Sequence, residues 1–208
     1  MPERETRTFA LDSIKIERRA DDPDGVPVRI VGHAAVFNQL SEDFGGWRER
    51  IAPGAFSEAL GDDVRALFNH NPDWLLGRTR SKTLRLDQDR TGLAIDIAPP
   101  DTQLVRDLVL APMDRGDLSQ MSFAFSGAES AWEETPDGIV RTIVKVSRLW
   151  DVSPVTYPAY AQTEVGMREF RAQAARRVLV PGGGFRRRKT QQAIEALTVV
   201  DRAKLATT

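Results

Sequence analysis

Large apolar and small or polar residues alternate with a period of two along much of this chain. In Met121-Ser122-Phe123-Ala124-Phe125-Ser126 the large side chains share one face of an extended segment, and Ser122, Ala124 and Ser126 share the other. That pattern predicts a strand with one buried face. Similar texture predicts strands over 6–16 and 26–37, separated by the turn-rich Asp21-Asp22-Pro23-Asp24-Gly25. In the second of these, Val28, Ile30 and Gly32 alternate with Arg29, Val31 and His33. Further strands are expected over 47–51, over 64–70 (stopping at Pro72), in pieces over 74–79 and 83–87, and over 92–97, closed by Pro99-Pro100. The turn Thr135-Pro136-Asp137-Gly138 separates strands over 130–134 and 139–146, and 149–155 is the last.

Helices are fewer. Pro53-Gly54 leads into a short one over 55–60, which Gly61 can end. Asp101 or Thr102 can cap a longer one over 103–114. Leu104, Leu108 and Met113 would line its apolar side, and Pro112 would end or kink its regular part. A third is expected over 163–177. Beyond 176 the texture changes to the flexible break Pro181-Gly182-Gly183-Gly184 and the basic cluster Arg186-Arg187-Arg188-Lys189. Many short strands and two or three helices predict a mostly-β barrel with helices packed outside it.

Composition narrows the chemistry. At 208 residues, 41% hydrophobic and 28% charged, the chain suits one sizeable domain with a tail better than two domains. The expected division is 1–170 as the domain and 171–208 as the tail. Absence of cysteine excludes disulfides, thiolate metal sites and a cysteine nucleophile. Only His33 and His70 could serve as an imidazole base. No apolar run reaches the length of a membrane span, and the first residues lack a secretory signal, so a soluble cytoplasmic protein is expected. The net charge of −1 hides an asymmetry: 171–208 holds nine Lys+Arg against two Asp+Glu, a basic tail on an acidic body. No HExxH helix, clustered His/carboxylate set or GxxxxGK[ST] loop occurs, so no metal or cofactor is expected. The basic cluster reads first as a solvated run, and nucleic acid is not an expected partner.

Three polar residues stand on or at the ends of apolar strands: Ser122, His70 in Leu67-Phe68-Asn69-His70-Asn71-Pro72, and Asp151 in Leu149-Trp150-Asp151-Val152-Ser153-Pro154. A rigid sheet can carry such side chains to one point. A serine hydroxyl becomes a good nucleophile when an imidazole takes its proton during attack, and a carboxylate on the other ring nitrogen sets the tautomer. The plain alternatives are an ordinary half-buried strand for Ser122, a strand-capping histidine for His70 and a surface ion pair of Asp151 with Arg148. Triads have no fixed spacing, so these residues leave both readings open.

Longer blocks carry a resemblance. Gly32-His33-Ala34-Ala35-Val36-Phe37-Asn38, Ile51-Ala52-Pro53-Gly54-Ala55-Phe56 and Leu67-Phe68-Asn69-His70-Asn71 with Leu76-Gly77-Arg78-Thr79 appear in that order. Met121-Ser122-Phe123-Ala124-Phe125 and the block from Asp151 to Tyr160 come after them. Together, over about 8–168, they resemble the prohead maturation proteases of tailed phages, a family similar to the herpesvirus capsid-assembly serine protease. The resemblance implies a closed β-barrel ringed by helices. It implies Ser122 as nucleophile, His70 as general base and Asp151 as the residue that orients His70, with His33 the alternative. Asp151 stands where the phage family often has Glu, one methylene longer. The implied function is cleavage of scaffolding protein or of a segment of the major capsid protein inside the assembling procapsid, in the host cytoplasm. A catalytically silent assembly factor of the same fold is the alternative. Homodimerisation is implied by analogy only. An oxyanion hole is required, with backbone N–H groups near Ser122 or the Arg148 region as its candidate donors. The tail is expected to recruit the protein to the procapsid and to be self-cleaved between about 173 and 184.

Overall fold

Two strands, β9 (Gln120–Thr135) and β10 (Gly138–Val155), run antiparallel for almost their whole length in the computed structural model, which describes residues 4–10, 14–18, 28–44, 46–136 and 138–157. Thr135 pairs with Gly138 across the expected turn. The sequence pattern splits each strand in two; the structure keeps each whole. Irregularities between Ile143 and Lys145 and between Leu149 and Asp151 bend the ladder without ending it. The expected helix over 163–177 and the tail lie outside the described residues.

Around this hairpin stand β1 (Glu5–Ala10), β4 (Trp47–Ile51), β5 (Arg65–Phe68) and β6 (Asn71–Arg78), giving the order β1-β9-β10-β5-β6. β4 joins β10 alongside 139–143, and β5 joins it at 151–152, both parallel. A second sheet has the order β2-β3-β8-β7, from β2 (Lys15–Arg18), β3 (Val28–Val36), β7 (Leu84–Gln88) and β8 (Gly92–Ile97). Mostly-β is therefore the observed class. Among the described residues the sheets do not close into one barrel ladder. They meet at corners: Asn38 N–H donates to Ile51 O and Ser41 N–H to Glu49 O, each at 2.8 Å, and Thr83 N–H, just before β7, donates to Arg78 O at the end of β6 at 3.2 Å.

Met121, Phe123 and Phe125 lie fully buried between the sheets. The Phe123 ring meets Phe56 edge-on and stacks on Phe125, each at 5.3 Å. The opposite face of β9 departs from a simple two-faced strand, because Ser122, Ala124 and Ser126 are buried as well.

The helical part also differs in detail. α1 (Gln103–Val105), a π-helical turn (Arg106–Leu110) and α2 (Ala111–Arg115) form one stretch, capped by Thr102 Oγ1, which accepts from Val105 N–H at 3.3 Å. Pro112 has no N–H to offer the preceding turn, and the wider π register just before it accommodates that loss. Val105 and Val109 face the core; Leu104 and Leu108 are 55% and 39% exposed. Two adjacent i,i+4 apolar pairs fit a helical period equally well, so spacing alone selects the wrong pair. The expected helix over 55–60 is a run of turns ending in a 3-10 turn, Ala59–Gly61, that still buries Ala55, Phe56 and Ala59.

Four buried charges tie β1 to β4 and β10. Arg7 donates to Glu49 and, at 2.8 Å, to Glu5; Arg141 donates to Glu49 at 2.8 Å and to Glu5 at 3.3 Å. Burial works against the charge of Arg7, but Glu49 and Glu5 outweigh it and hold the guanidinium above its ordinary value. Removing one member leaves an uncompensated buried charge. Glu49→Ala should therefore cost about 3–5 kcal/mol of unfolding free energy in urea titrations; a loss below about 1 kcal/mol would refute the coupling.

Outside the core, Asp63 and Arg78 close the base of the β5–β6 hairpin, with Arg78 Nε donating to Asp63 Oδ1 at 2.7 Å and Nη2 to Oδ2 at 2.5 Å. The Arg78 guanidinium holds the Asp63 carboxyl down to about 2 from an ordinary 3.8. A depressed carboxylate stabilises above its unfolded value and loses that contribution as pH falls through its folded one. The stability gap between wild type and Asp63→Asn should thus be full above about pH 4 and shrink toward pH 2, as read by thermal unfolding across that range.

Candidate active site

The local fold brings the three polar residues together from three strands. Phe68 pairs with Asn71, so Asn69 and His70 form a two-residue hairpin loop between β5 and β6. Both have left-handed backbones, with φ of 54° and 56°. Such loops match the right-handed twist of hairpins, and asparagine and histidine tolerate that region better than most residues. His70 therefore sits at a hairpin tip. The strand expected to stop at Pro72 instead resumes at Asn71, with Pro72 inside edge strand β6. The tip is tethered to the end of β10 and to Thr156 just beyond it. Asn69 N–H donates to Pro154 O at 3.0 Å, and Thr156 N–H donates to Asn69 Oδ1 at 2.9 Å.

Ser122 pairs with Thr8 of β1 on one side and Ser153 of β10 on the other, and Asp151 pairs with Ala124. Strand alternation then places Ser122, Asp151 and Ser153 on one face, where the His70 ring arrives from above. His70 Nε2 lies 2.6 Å from Ser122 Oγ, and His70 Nδ1 lies 2.6 Å from Asp151 Oδ1. Ser122 is 0% exposed and the Asp151 side chain 2%, whereas the imidazole keeps 20% of its surface open. The Asp151 carboxylate reaches the ring without the extra methylene of a glutamate, and it stands beside the irregular pairing at Leu149/Asp151.

An anionic carboxylate accepts only, so Nδ1 carries a proton and Nε2 of the neutral ring offers its lone pair to the Ser122 hydroxyl. A second acceptor stands beside that hydroxyl: Arg7 O of β1, at 2.9 Å. When the ring is doubly protonated, Nε2–H donates to Oγ and the hydroxyl proton turns to Arg7 O. The serine thus has a partner in either protonation state of His70.

Asp151 has two more partners that the sequence pattern does not reveal on its own. Ser153 Oγ donates to Oδ1 at 2.7 Å, and the Arg4 guanidinium pairs with Oδ2. Ser153 is readable in retrospect, since it lies two residues past Asp151 on the same strand face; Arg4 leaves no signal. His33 is placed elsewhere: its Nε2 lies 2.8 Å from Asp89 Oδ2 on the other sheet. The His33 hydrogen bond, with help from Gly92 N–H, holds Asp89 below the usual carboxylate range. Arg148 pairs with Ser126, four residues along β9 from Ser122, and its guanidinium lies 4.0 Å from the Trp150 ring centre. Among the described residues no three His, Asp or Glu side chains gather as metal ligands, and no helix is long and apolar enough to cross a membrane.

Comparison with known proteins bears on this geometry. Two curated proteins, both named histidinol-phosphate aminotransferase, from Synechococcus elongatus and a second Synechococcus strain, are each 28% identical over 158 residues. That covers 71% of this chain but only 41% of each of those proteins, so the chain spans about two fifths of their length. No solved structure matches. A family model described as caudovirus prohead serine protease matches residues 14–177, which include the hairpin tip, the serine strand and the aspartate strand. The chain belongs to the caudovirus prohead serine protease family.

Proposed function

We propose that this serine protease acts within the phage procapsid, with Ser122 as nucleophile, His70 as general base and Asp151 as the residue that orients and stabilises the imidazole. The observation that carries the reading is the unbroken run of hydrogen bonds from Ser122 Oγ through His70 to Asp151, two contacts of 2.6 Å each. Ser122 Oγ attacks a peptide carbonyl carbon while its proton passes to His70 Nε2. The resulting imidazolium is stabilised by Asp151. As the tetrahedral intermediate collapses, Nε2 returns the proton to the departing amine. Water then attacks the ester, His70 again taking the proton, and Ser122 is restored.

The substrates in this reading are scaffolding protein or a scaffolding segment of the major capsid protein, cleaved inside the assembled shell. Residues 1–170 form the protease and 171–208 a recruiting tail, whose nine basic residues suit an acidic scaffold or shell lining. The enzyme also removes its own tail between about 173 and 184, where small residues such as Ala174, Ala175 and Gly182 would suit a narrow substrate cleft.

Co-expression with the cognate capsid and scaffold proteins tests this by gel and intact mass. Ser122→Ala and His70→Ala should each cut processing by at least about a thousandfold, and Asp151→Asn by about a hundredfold or more. Processing that persists in Ser122→Ala would reject the assignment. Assembly of normal shells with no peptide lost, wild type included, would favour the silent assembly factor. A tail kept in full by both wild type and Ser122→Ala during assembly would refute self-cleavage alone.

A further inference from the structure

Ser153 is wholly buried, stands directly across the ladder from Ser122, and gives its hydroxyl proton to Asp151 Oδ1 at 2.7 Å. That oxygen is also the one His70 Nδ1 uses, at 2.6 Å. The other carboxylate oxygen meets the Arg4 guanidinium, and the Arg4 side chain is 47% exposed. A carboxylate turns easily about its terminal torsion, which has broad minima. An exposed arginine on a long stem holds that torsion poorly, because its own rotamers are free and water screens its charge. A buried hydroxyl two residues away on the same strand is held by the strand itself.

Resting on the protease reading, we propose that Ser153 is a positioning residue, a fourth member of the relay that fixes the plane of the Asp151 carboxylate. With Ser153 in place, Oδ1 faces the ring nitrogen at its bonding distance, and the tautomer that leaves Nε2 bare is favoured before substrate arrives. The hydroxyl also supplies a donor to a carboxylate that water hardly reaches. The strand that carries Ser153 is the one to which the His70 loop is tied through Pro154 O, so carboxylate and imidazole share one rigid reference.

A simple packing role for a buried serine makes a different prediction, and the two can be separated. The probe is a fluorophosphonate ester applied to the full chain. Ser122 Oγ forms a bond to phosphorus, fluoride leaves, and the hydroxyl proton passes to His70, so the second-order labelling rate reads the relay without a capsid substrate. Ser153→Ala should slow labelling about tenfold, the scale of one charge-assisted hydrogen bond. Ser153→Thr, which keeps the donor, should recover to within about threefold of wild type. Ser153→Cys, similar in shape but a weaker donor, should fall between them. In an Asp151→Asn background, Ser153→Ala should cause no further slowing, because its partner has already been altered. Equal labelling of wild type and Ser153→Ala, or the same fractional slowing in both backgrounds, overturns the positioning role and leaves the protease reading intact. Folded wild type that takes no more label than Ser122→Ala overturns both.

Discussion

The register between β9 and β10 is the constraint on which the rest of this molecule depends. Side chains alternate across a strand, so a slip of one residue would turn Ser122 into the apolar interior and expel Phe123. The aromatic residues enforce the correct alignment: Phe123 and Phe125 stack together and Phe123 meets Phe56, all deep between the sheets. The hydrophobic core thereby aims a polar face, and cross-strand contacts such as Arg141 Nε to Ser130 Oγ and Trp150 Nε1 to Ser126 Oγ fit the same alignment. Ser153 opposite Ser122 and Asp151 opposite Ala124 are consequences of that alignment.

Burial on both faces creates a problem that the sheet answers with polar partners. Glu5, Arg7, Glu49 and Arg141 satisfy one another on the inner side. Such a group adds little net stability over an apolar filling, since desolvating four charges offsets most of their attraction. What it adds is selectivity: β1 seats its charged residues only where both Glu49 and Arg141 face them. The same strand lends the Arg7 carbonyl to Ser122, so correct seating of β1 also completes the surroundings of the serine.

Much of the fold is legible in the sequence, for reasons that differ by element. The alternation over 121–126 specifies a strand and its inner face, and Thr135-Pro136-Asp137-Gly138 specifies the hairpin. Continuity of β9 and β10 is less legible, since Gly127 and the polar Ser147-Arg148 resemble breaks, whereas the ladder runs through both in one register. The helix from Gln103 is visible but its buried side is not, because Leu104/Leu108 and Val105/Val109 have the same spacing. For the site, the motif blocks point to Ser122, His70 and Asp151, and the three side chains do meet. The hairpin tip under His70 is hidden because Asn-His carries a weaker turn signal than Asn-Gly and the next proline suggests a stop. Arg4 and the Arg7 carbonyl are contributed by tertiary contact and a backbone atom, neither of which a residue pattern encodes.

Pro72 has a consequence beyond the geometry of the tip. Among the described residues β6 is the outermost strand of its sheet, and an outermost strand offers open hydrogen-bonding positions to any extended chain nearby. A residue with no N–H at the start of such a strand interrupts that offer where it is closest to His70. A second copy bringing an extended strand to this margin would meet one missing donor there. The imino acid guards the molecule against sticking to its neighbours, at the cost of one donor that the ladder does not use.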